Sequence, residues 1–135
     1  MHKQAGAVAL LDLAAVALLG LETALMGLFA IGYVVYALLD SDFTGLGASL
    51  AAVAAIMAAG IGLFTWGFAR RRRFALSGAL TWQLMQASVG VWALAMRPAA
   101  GVALIASAGV VTAAVLRRQA AYGASSDADA GSDAP

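Results

Sequence analysis

Residues 46–69 read LGASLAAVAAIMAAGIGLFTWGFA, an apolar block without a charged side chain. A helix of about 20 residues, rising 1.5 Å per residue, crosses the roughly 30 Å hydrocarbon core of a bilayer. This block is therefore long enough to span a membrane. Four arginines, Arg70 to Arg73, follow it directly. A transmembrane helix that ends in a basic loop indicates that the rest of the chain also belongs to a membrane protein.

The composition of the whole chain is typical of a membrane protein. Of its 135 residues, 63% are hydrophobic and 11% are charged, whereas soluble domains average roughly 45–50% and about 25%. The chain has no cysteine, which excludes disulfides and thiolate metal sites, and its single histidine is His2. Because the net charge is only +1, we predict no nucleic-acid partner.

Three further apolar blocks lie on either side of this span. The four blocks cover residues 14–39, 46–69, 74–96 and 99–116, and each has about 18 residues or more, enough to cross a membrane. Hydrocarbon offers no partner to free backbone polar groups, and the blocks lack the alternation of barrel strands. We therefore predict an all-α fold, a four-helix transmembrane bundle with short loops, formed by residues 1–118.

The positions of the basic residues predict the orientation of this bundle. Seven of the eight lysines and arginines, all except Arg97, fall at one end of the antiparallel spans. At the opposite end we predict an outer loop at residues 40–45, which begins with Asp40, and a tight turn at Arg97 and Pro98. Basic loops stay in the cytoplasm, so we expect a multi-pass plasma-membrane protein with both termini cytoplasmic (N-in/C-in). Residues 119–135 include three aspartates and predict a disordered cytoplasmic tail, either a solvated terminus or a docking peptide.

A glutamate interrupts the first span. Glu22 lies roughly 27 Å from Asp40 along a helix, and Gln83 of the third span, which shares a stripe with Gln86, comes to a similar depth. An isolated charge deep in a membrane costs at least about 2.5–3.5 kcal/mol, so we predict a buried polar site in which Glu22 bonds to Gln83 beside Gln86. The site is interpreted as a clamp on helix register. The alternatives are a carboxyl that exchanges protons or binds a ligand, and a side chain that reaches the headgroups.

The arginine loop, formed by Arg70, Arg71, Arg72 and Arg73, has two interpretations. A cytoplasmic loop needs basic residues as a topology signal, and this explains the run without any ligand. The alternative makes these four arginines contacts for anionic lipid headgroups, at about 1 kcal/mol per basic residue. Both interpretations place the loop at the cytoplasmic surface.

No catalytic constellation emerges from the sequence. The spans contain no histidine, and one buried carboxyl without a second acid or a metal is too little for general acid–base chemistry. We therefore predict that the protein is not an enzyme, that it needs no cofactor, and that it has no metal site.

Three motifs carry a resemblance to a known group of proteins. They are L-E-T-A-L at residues 21–25, A-R-R-R-R-F-A at 69–75, and L-T-W-Q-L-M-Q at 80–86. With these motifs, most of residues 8–118 resembles a group of small four-span actinobacterial integral membrane proteins of unknown function. The resemblance implies the four-span fold and carries no assigned activity.

A weaker resemblance comes from the fourth span. Residues 101–111, G-V-A-L-I-A-S-A-G-V-V, together with an embedded glutamate in the first helix, resemble the small multidrug resistance family. In that family the glycine-rich face of the fourth helix dimerises. The resemblance implies that Glu22 exchanges protons for an organic cation.

These observations favour a non-enzymatic accessory, assembly or scaffolding component that acts through helix–helix contacts. Its partners are then the lipid bilayer and either further copies of the chain, as a homo-oligomer, or a larger membrane complex. One alternative is a proton-coupled transporter of small organic cations that uses Glu22. The other is a membrane protein that binds anionic lipid.

Overall fold

Four α-helices make up nearly all of the chain that the structure describes. The structure is a computed structural model that describes residues 2–39 and 41–132, with side chains at 6–39 and 42–124. The helices are α1 (His2–Leu39), α2 (Thr44–Ala69), α3 (Arg73–Leu94) and α4 (Pro98–Ser132), and a short 3-10 helix, Ser41–Phe43, precedes α2. These residues contain no β-strand. The predicted all-α class with four helices is confirmed.

Three of the helices are long and apolar enough to cross a membrane. The qualifying segments are Gly6–Leu39, Thr44–Ala69 and Pro98–Ala124. Large apolar side chains such as Leu39 and Ile56 are exposed on these helices, which suits contact with lipid rather than water. A crossing by α3 and the orientation of the termini stay predictions.

The C-terminal part of α4 differs from the sequence prediction. The sequence predicts disorder from residue 119, whereas α4 continues as a helix to Ser132. This segment is rich in alanine, the strongest helix former, and it extends a helix that already exists, so no new nucleus is needed. The predicted tail residues 133–135, Asp40 of the predicted outer loop, and the side chain of Lys3 lie outside the described residues.

The chain divides into two compact units. One is Val16–Ala75, which holds most of α1, all of α2 and the first residues of α3, and the other is formed by the chain on either side of it. Each unit has its own fully buried apolar side chains. They are Leu19, Ile61 and Phe68 in the first unit, and Ala79, Val111 and Val115 in the second.

The turn between α1 and α2 is closed by contacts across it. Thr44 Oγ1 donates to the carbonyl of Ala37 at 3.0 Å, in the last turn of α1, where carbonyls lack partners in their own helix. The rings of Tyr36 and Phe43 meet edge to face with centroids 4.6 Å apart. A Cβ at Gly47 would lie 2.7 Å from the Cβ of Ala37, so only glycine lets the two helices approach this closely.

The turn between α3 and α4 follows the prediction of a tight turn at Arg97 and Pro98. The Arg97 amide donates to the carbonyl of Ala93 at 2.7 Å, and the carbonyl of Arg97 accepts the Gly101 amide at 3.0 Å. Pro98 is the first residue of α4, a position where the missing N–H costs nothing. The turn predicted at Arg97 and Pro98 is therefore confirmed.

Candidate functional site

Glu22 lies near the middle of α1, where it is half-buried. It belongs to the unit Val16–Ala75, whereas Gln83 and Gln86 belong to the other unit. The hydrogen bond predicted between Glu22 and Gln83 therefore stays a prediction.

A pair of hydroxyl groups beside Glu22 links α1 to α2. Thr23 Oγ1 lies 3.3 Å from Thr65 Oγ1. Each threonine also donates to a carbonyl four residues earlier in its own helix, at 2.8 Å. Each hydroxyl has a single proton, so whichever threonine donates to the other must share that proton with the carbonyl of its own helix. The link is therefore a shared hydrogen bond and not a strong one. A Cβ at Gly62 would lie 3.3 Å from Thr23 Cγ2, so this glycine keeps the helices close here.

The sequence held a signal for this link. An antiparallel hairpin that turns near residue 44 brings together residues at equal distances from the turn. Thr23 and Thr65 each lie 21 residues from Thr44, so the pairing follows from counting. The hydroxyl of Thr23, next to the charged Glu22, was not among the predicted site residues.

Both glutamines of α3 are buried within their unit. Gln83 is 0% exposed and Gln86 is 7% exposed. Gln86 Nε2 donates to the carbonyl of Leu104 in α4 at 3.4 Å. This carbonyl is inside a helix and accepts a second bond here, so the amide of Gln86 ties α3 to α4.

Two glycines explain why this amide reaches α4. A Cβ at Gly101 would lie 2.7 Å from the Leu94 amide nitrogen and 2.8 Å from the carbonyl oxygen of Gly90, and a Cβ at Gly90 would lie 2.9 Å from Ile105 Cγ1. Backbone therefore meets backbone, as in membrane helix pairs that use small residues. Toward the other end of this pair lies an open groove of about 370 Å³, whose lining includes Gln83, Ala108, Gly109 and Thr112.

The arginine loop has a defined backbone conformation. Arg72 N donates to the carbonyl of Gly67 at 2.8 Å and Arg71 N to that of Phe68 at 3.1 Å, which together form a Schellman motif at the end of α2. The motif requires a left-handed residue, and Arg71 has φ 55°. An arginine thus occupies a position that normally favours glycine.

The side chains of the arginine loop point outward. All four are exposed, and the Arg70 guanidinium lies 5.5 Å from the centroid of the Trp66 ring, in a cation–π contact. Such contacts contribute about 0.5–1 kcal/mol at exposed sites. The loop therefore presents a cluster of positive charge, as expected of either a topology signal or a headgroup contact.

The unit that contains α4 holds an ion-pair cluster that the sequence analysis missed. Arg117 Nη2 lies 2.6 Å from Asp12 Oδ1, and Arg118 Nη2 lies 3.0 Å from Asp12 Oδ2. Arg117 Nη2 also donates to the carbonyl of Val8 at 3.4 Å. The exposed fraction of the side chain is 34% for Arg117, 13% for Arg118 and 19% for Asp12. The start of α1 is thus joined to α4 by two charge-assisted hydrogen bonds.

A signal for this cluster was present in the predicted spans. Asp12 lies two residues before the first predicted span, and Arg117 lies one residue after the last. An even number of antiparallel crossings brings these two boundaries to the same end, at similar height. From the sequence, Arg117 and Arg118 were predicted only as part of the topology signal. Their ion pairs with Asp12 were therefore not predicted.

No metal centre is evident in the part of the chain that the structure describes. Within it there is no group of three or more histidine, cysteine, aspartate or glutamate residues that is suited to hold a metal ion. The arrangement offers hydrogen bonds and ion pairs between helices.

Comparisons with known proteins give no match to this chain among family models, curated proteins or solved structures. The two resemblances drawn from the sequence motifs therefore stay predictions.

Proposed function

We propose that this protein is a non-enzymatic accessory or assembly component of the plasma membrane, which acts through helix–helix contacts with further copies of itself or with other membrane proteins. In this proposal α3 is a fourth span and both termini are cytoplasmic. The proposal concerns contacts that its helices make outside their own chain.

The division of the glycines into two classes carries this proposal. Gly47, Gly67, Gly90 and Gly101 sit where a Cβ would meet another part of the chain at 2.9 Å or less. In contrast, a Cβ at Gly20 or Gly27 would meet nothing within 4 Å among the described residues. These two glycines, seven residues apart and with Ala24 between them, lie on one face of α1.

Small residues that do not serve contacts within the chain suit contacts outside it. Membrane helices associate mainly by close packing, so their interfaces are rich in glycine and alanine. A glycine that faces lipid loses backbone entropy and gains little packing. The face formed by Gly20, Ala24 and Gly27 is therefore the surface that we propose for association.

The polar residues of α3 support a fourth span. Their presence lowers the hydropathy of the helix, yet Gln83 and Gln86 are buried against protein and would not meet lipid. The hydroxyls of Thr81 and Ser88 donate to carbonyls four residues earlier in the same helix, at 3.0 Å and 2.9 Å. With 22 residues, α3 is roughly 33 Å long, enough to cross the hydrocarbon core.

The experiment compares two substitutions in the same helix. Gly27→Leu puts a bulky side chain on the proposed face, and Gly32→Leu puts one about 140° away around the helix axis. Both glycines are open within the described chain, so both variants are expected to fold. Crosslinking and photobleaching step counts in native membranes measure the assembly at endogenous expression.

We expect oligomers or larger complexes for the unmodified protein and for Gly32→Leu, and mainly monomers for Gly27→Leu. A native protein that is recovered only as a monomer contradicts the proposal. Equal assembly of the two variants contradicts the assignment of the face on α1.

A second candidate is a proton-coupled exporter of organic cations. Its support is the position of Glu22, which is half-buried inside a helix segment long enough to cross a membrane. An acidic residue in such a segment is a candidate for proton exchange. Under this hypothesis Glu22→Gln abolishes pH-driven efflux from proteoliposomes, since an amide does not exchange a proton in this way. Asp42→Asn, in the exposed turn before α2, is the matched control. Equal flux in all three proteins excludes this candidate.

A further inference from the structure

The cluster of Asp12, Arg117 and Arg118 has an excess of positive charge. One carboxylate faces two guanidinium groups, so the cluster carries one net positive charge. Asp12 divides its oxygens, with Oδ1 toward Arg117 and Oδ2 toward Arg118. Among the described contacts, Arg117 reaches this carboxylate through Nη2 alone and does not form the two-bond fork that guanidinium and carboxylate groups favour.

Arg117 keeps part of its hydrogen-bonding capacity. Within the described residues its hydrogen bonds all come from Nη2, toward Asp12 and the carbonyl of Val8. Its Nε is buried and has no hydrogen-bond partner there, although a guanidinium offers five N–H donors. Of the three side chains Arg117 is the most exposed, at 34%. It is therefore the member of the cluster best placed to meet a group from outside.

The position of the arginines along α4 indicates what that group is. From Pro98 to Arg117 a helix rises roughly 28 Å, close to the 30 Å thickness of the hydrocarbon core. If α4 crosses the bilayer from Pro98, both arginines emerge where phospholipid phosphates lie. Arginine suits phosphate because its planar donors match two phosphate oxygens.

We propose that Arg117 and Arg118, held in place by Asp12, bind the phosphate of an anionic phospholipid headgroup. The chemistry recognised is a phosphate group, and a membrane supplies it at the height of the cluster. Asp12 orients the two arginines, while its negative charge opposes the binding of the phosphate. The arginine loop, Arg70 to Arg73, belongs to the unit Val16–Ala75 and is not part of this proposed site.

The charge of Asp12 distinguishes a lipid-binding site from an ion pair that only holds two helices together. Asp12→Asn retains one oxygen that accepts a hydrogen bond but removes the negative charge. Binding of an anionic lipid should then become about fivefold tighter, from about 1 kcal/mol per charge near the surface. Arg117→Gln should weaken the same binding about fivefold for the same reason. An ion pair that only fastens α1 to α4 predicts no gain for Asp12→Asn.

The test uses the full chain in detergent and counts bound lipids by native mass spectrometry. The probes are phosphatidylglycerol, phosphatidylcholine with the same acyl chains, and inorganic phosphate. We expect selective retention of phosphatidylglycerol, reduced in Arg117→Gln and increased in Asp12→Asn. The matched control is Arg97→Gln, which removes one arginine in the turn before α4 and should leave retention unchanged.

Several outcomes would overturn this proposal. Unchanged selectivity in Arg117→Gln, or its loss in a variant with Arg71→Gln and Arg72→Gln, places the site elsewhere. Inorganic phosphate that displaces the lipid at equal concentration assigns the site to free phosphate instead of a headgroup. Circular dichroism checks folding, and Arg117→Lys is the second variant should Arg117→Gln not fold. The lysine keeps the charge without the planar donors, so reduced selectivity supports the proposal, and complete loss of selectivity in a folded protein contradicts it.

Discussion

Thr23 of α1 and Thr65 of α2 share a hydrogen bond in the unit Val16–Ala75, with 3.3 Å between their Oγ1 atoms. Thr23 directly follows Glu22, so the carboxyl lies beside a polar contact between two helices. The hydroxyls also bond within their own helices. Any role of Glu22 must therefore be tested apart from the contribution of these threonines.

The threonine link should contribute modestly to stability. We expect Thr65→Val to lower the free energy of unfolding, measured by thermal denaturation in detergent, by about 0.6 kcal/mol. This is the average for hydrogen bonds between membrane helices. The double variant, Thr65→Val with Thr23→Val, should lose little more free energy of unfolding than Thr65→Val alone, because both single changes remove the same hydrogen bond. The control is Thr81→Val, whose hydroxyl bonds only to Ser77 of its own helix among the contacts described here. Equal losses for Thr65→Val and Thr81→Val would show that the link between helices contributes nothing.

The contact between Gly90 and Gly101 should be intolerant of a methyl group. In Gly101→Ala the new Cβ would lie 2.7 Å and 2.8 Å from backbone atoms of Leu94 and Gly90, and backbone atoms do not move aside as side chains do. Overpacking of this kind costs about 1–3 kcal/mol. Thermal unfolding in detergent measures the loss.

A second glycine of α4 provides the matched control for this prediction. A Cβ at Gly109 would meet nothing within 4 Å among the described residues, so Gly109→Ala should be neutral or slightly stabilising. If Gly101→Ala is as stable as Gly109→Ala, the close approach of α3 and α4 at Gly101 is incorrect.

Arg71 has a left-handed backbone conformation, so replacing it with glycine should stabilise the folded protein. With φ 55°, its Cβ crowds the backbone at a cost of roughly 1–2 kcal/mol. We expect Arg71→Gly to raise the free energy of unfolding by about 1 kcal/mol. Arg72→Gly removes the same charge without a positive φ and should not stabilise. A gain in both variants would point to charge repulsion within the arginine loop instead of backbone strain.

The crossing by α3 can be tested by chemical labelling, since the chain has no cysteine. Ala69→Cys and Ala99→Cys introduce single thiols at exposed positions on either side of α3. We expect a membrane-impermeant maleimide to label position 99 in intact cells, and position 69 only after the membrane is opened. Labelling of both positions from the same side would show that α3 does not cross.

The helices and their turns could be predicted from the sequence because their causes are local. Apolar blocks bounded by Arg70 to Arg73 and by Arg97 with Pro98 mark where a membrane helix must end. The tail was different, since α4 continues to Ser132. There the aspartates suggested disorder, while the alanines could extend a helix that had already formed.

The contacts of the polar side chains were much less accessible to sequence reasoning. Asp12 and Arg117 are 105 residues apart and meet at 2.6 Å. The first, second and fourth spans carry few polar side chains, so no polar stripe shows which face of these helices turns inward. The bond from Gln86 to the carbonyl of Leu104 and the pairing of Thr23 with Thr65 depend on how each helix is rotated about its own axis.

The sequence by itself determined that this chain forms four helices built on long apolar blocks, because backbone hydrogen bonds and apolar length are properties of each segment. Only the tertiary structure decided that Asp12 meets two arginines of α4 and that Gly101 meets the backbone of α3. The reason is that such contacts depend on the mutual rotation and spacing of helices, which the packing of small and large side chains sets and which no single segment encodes.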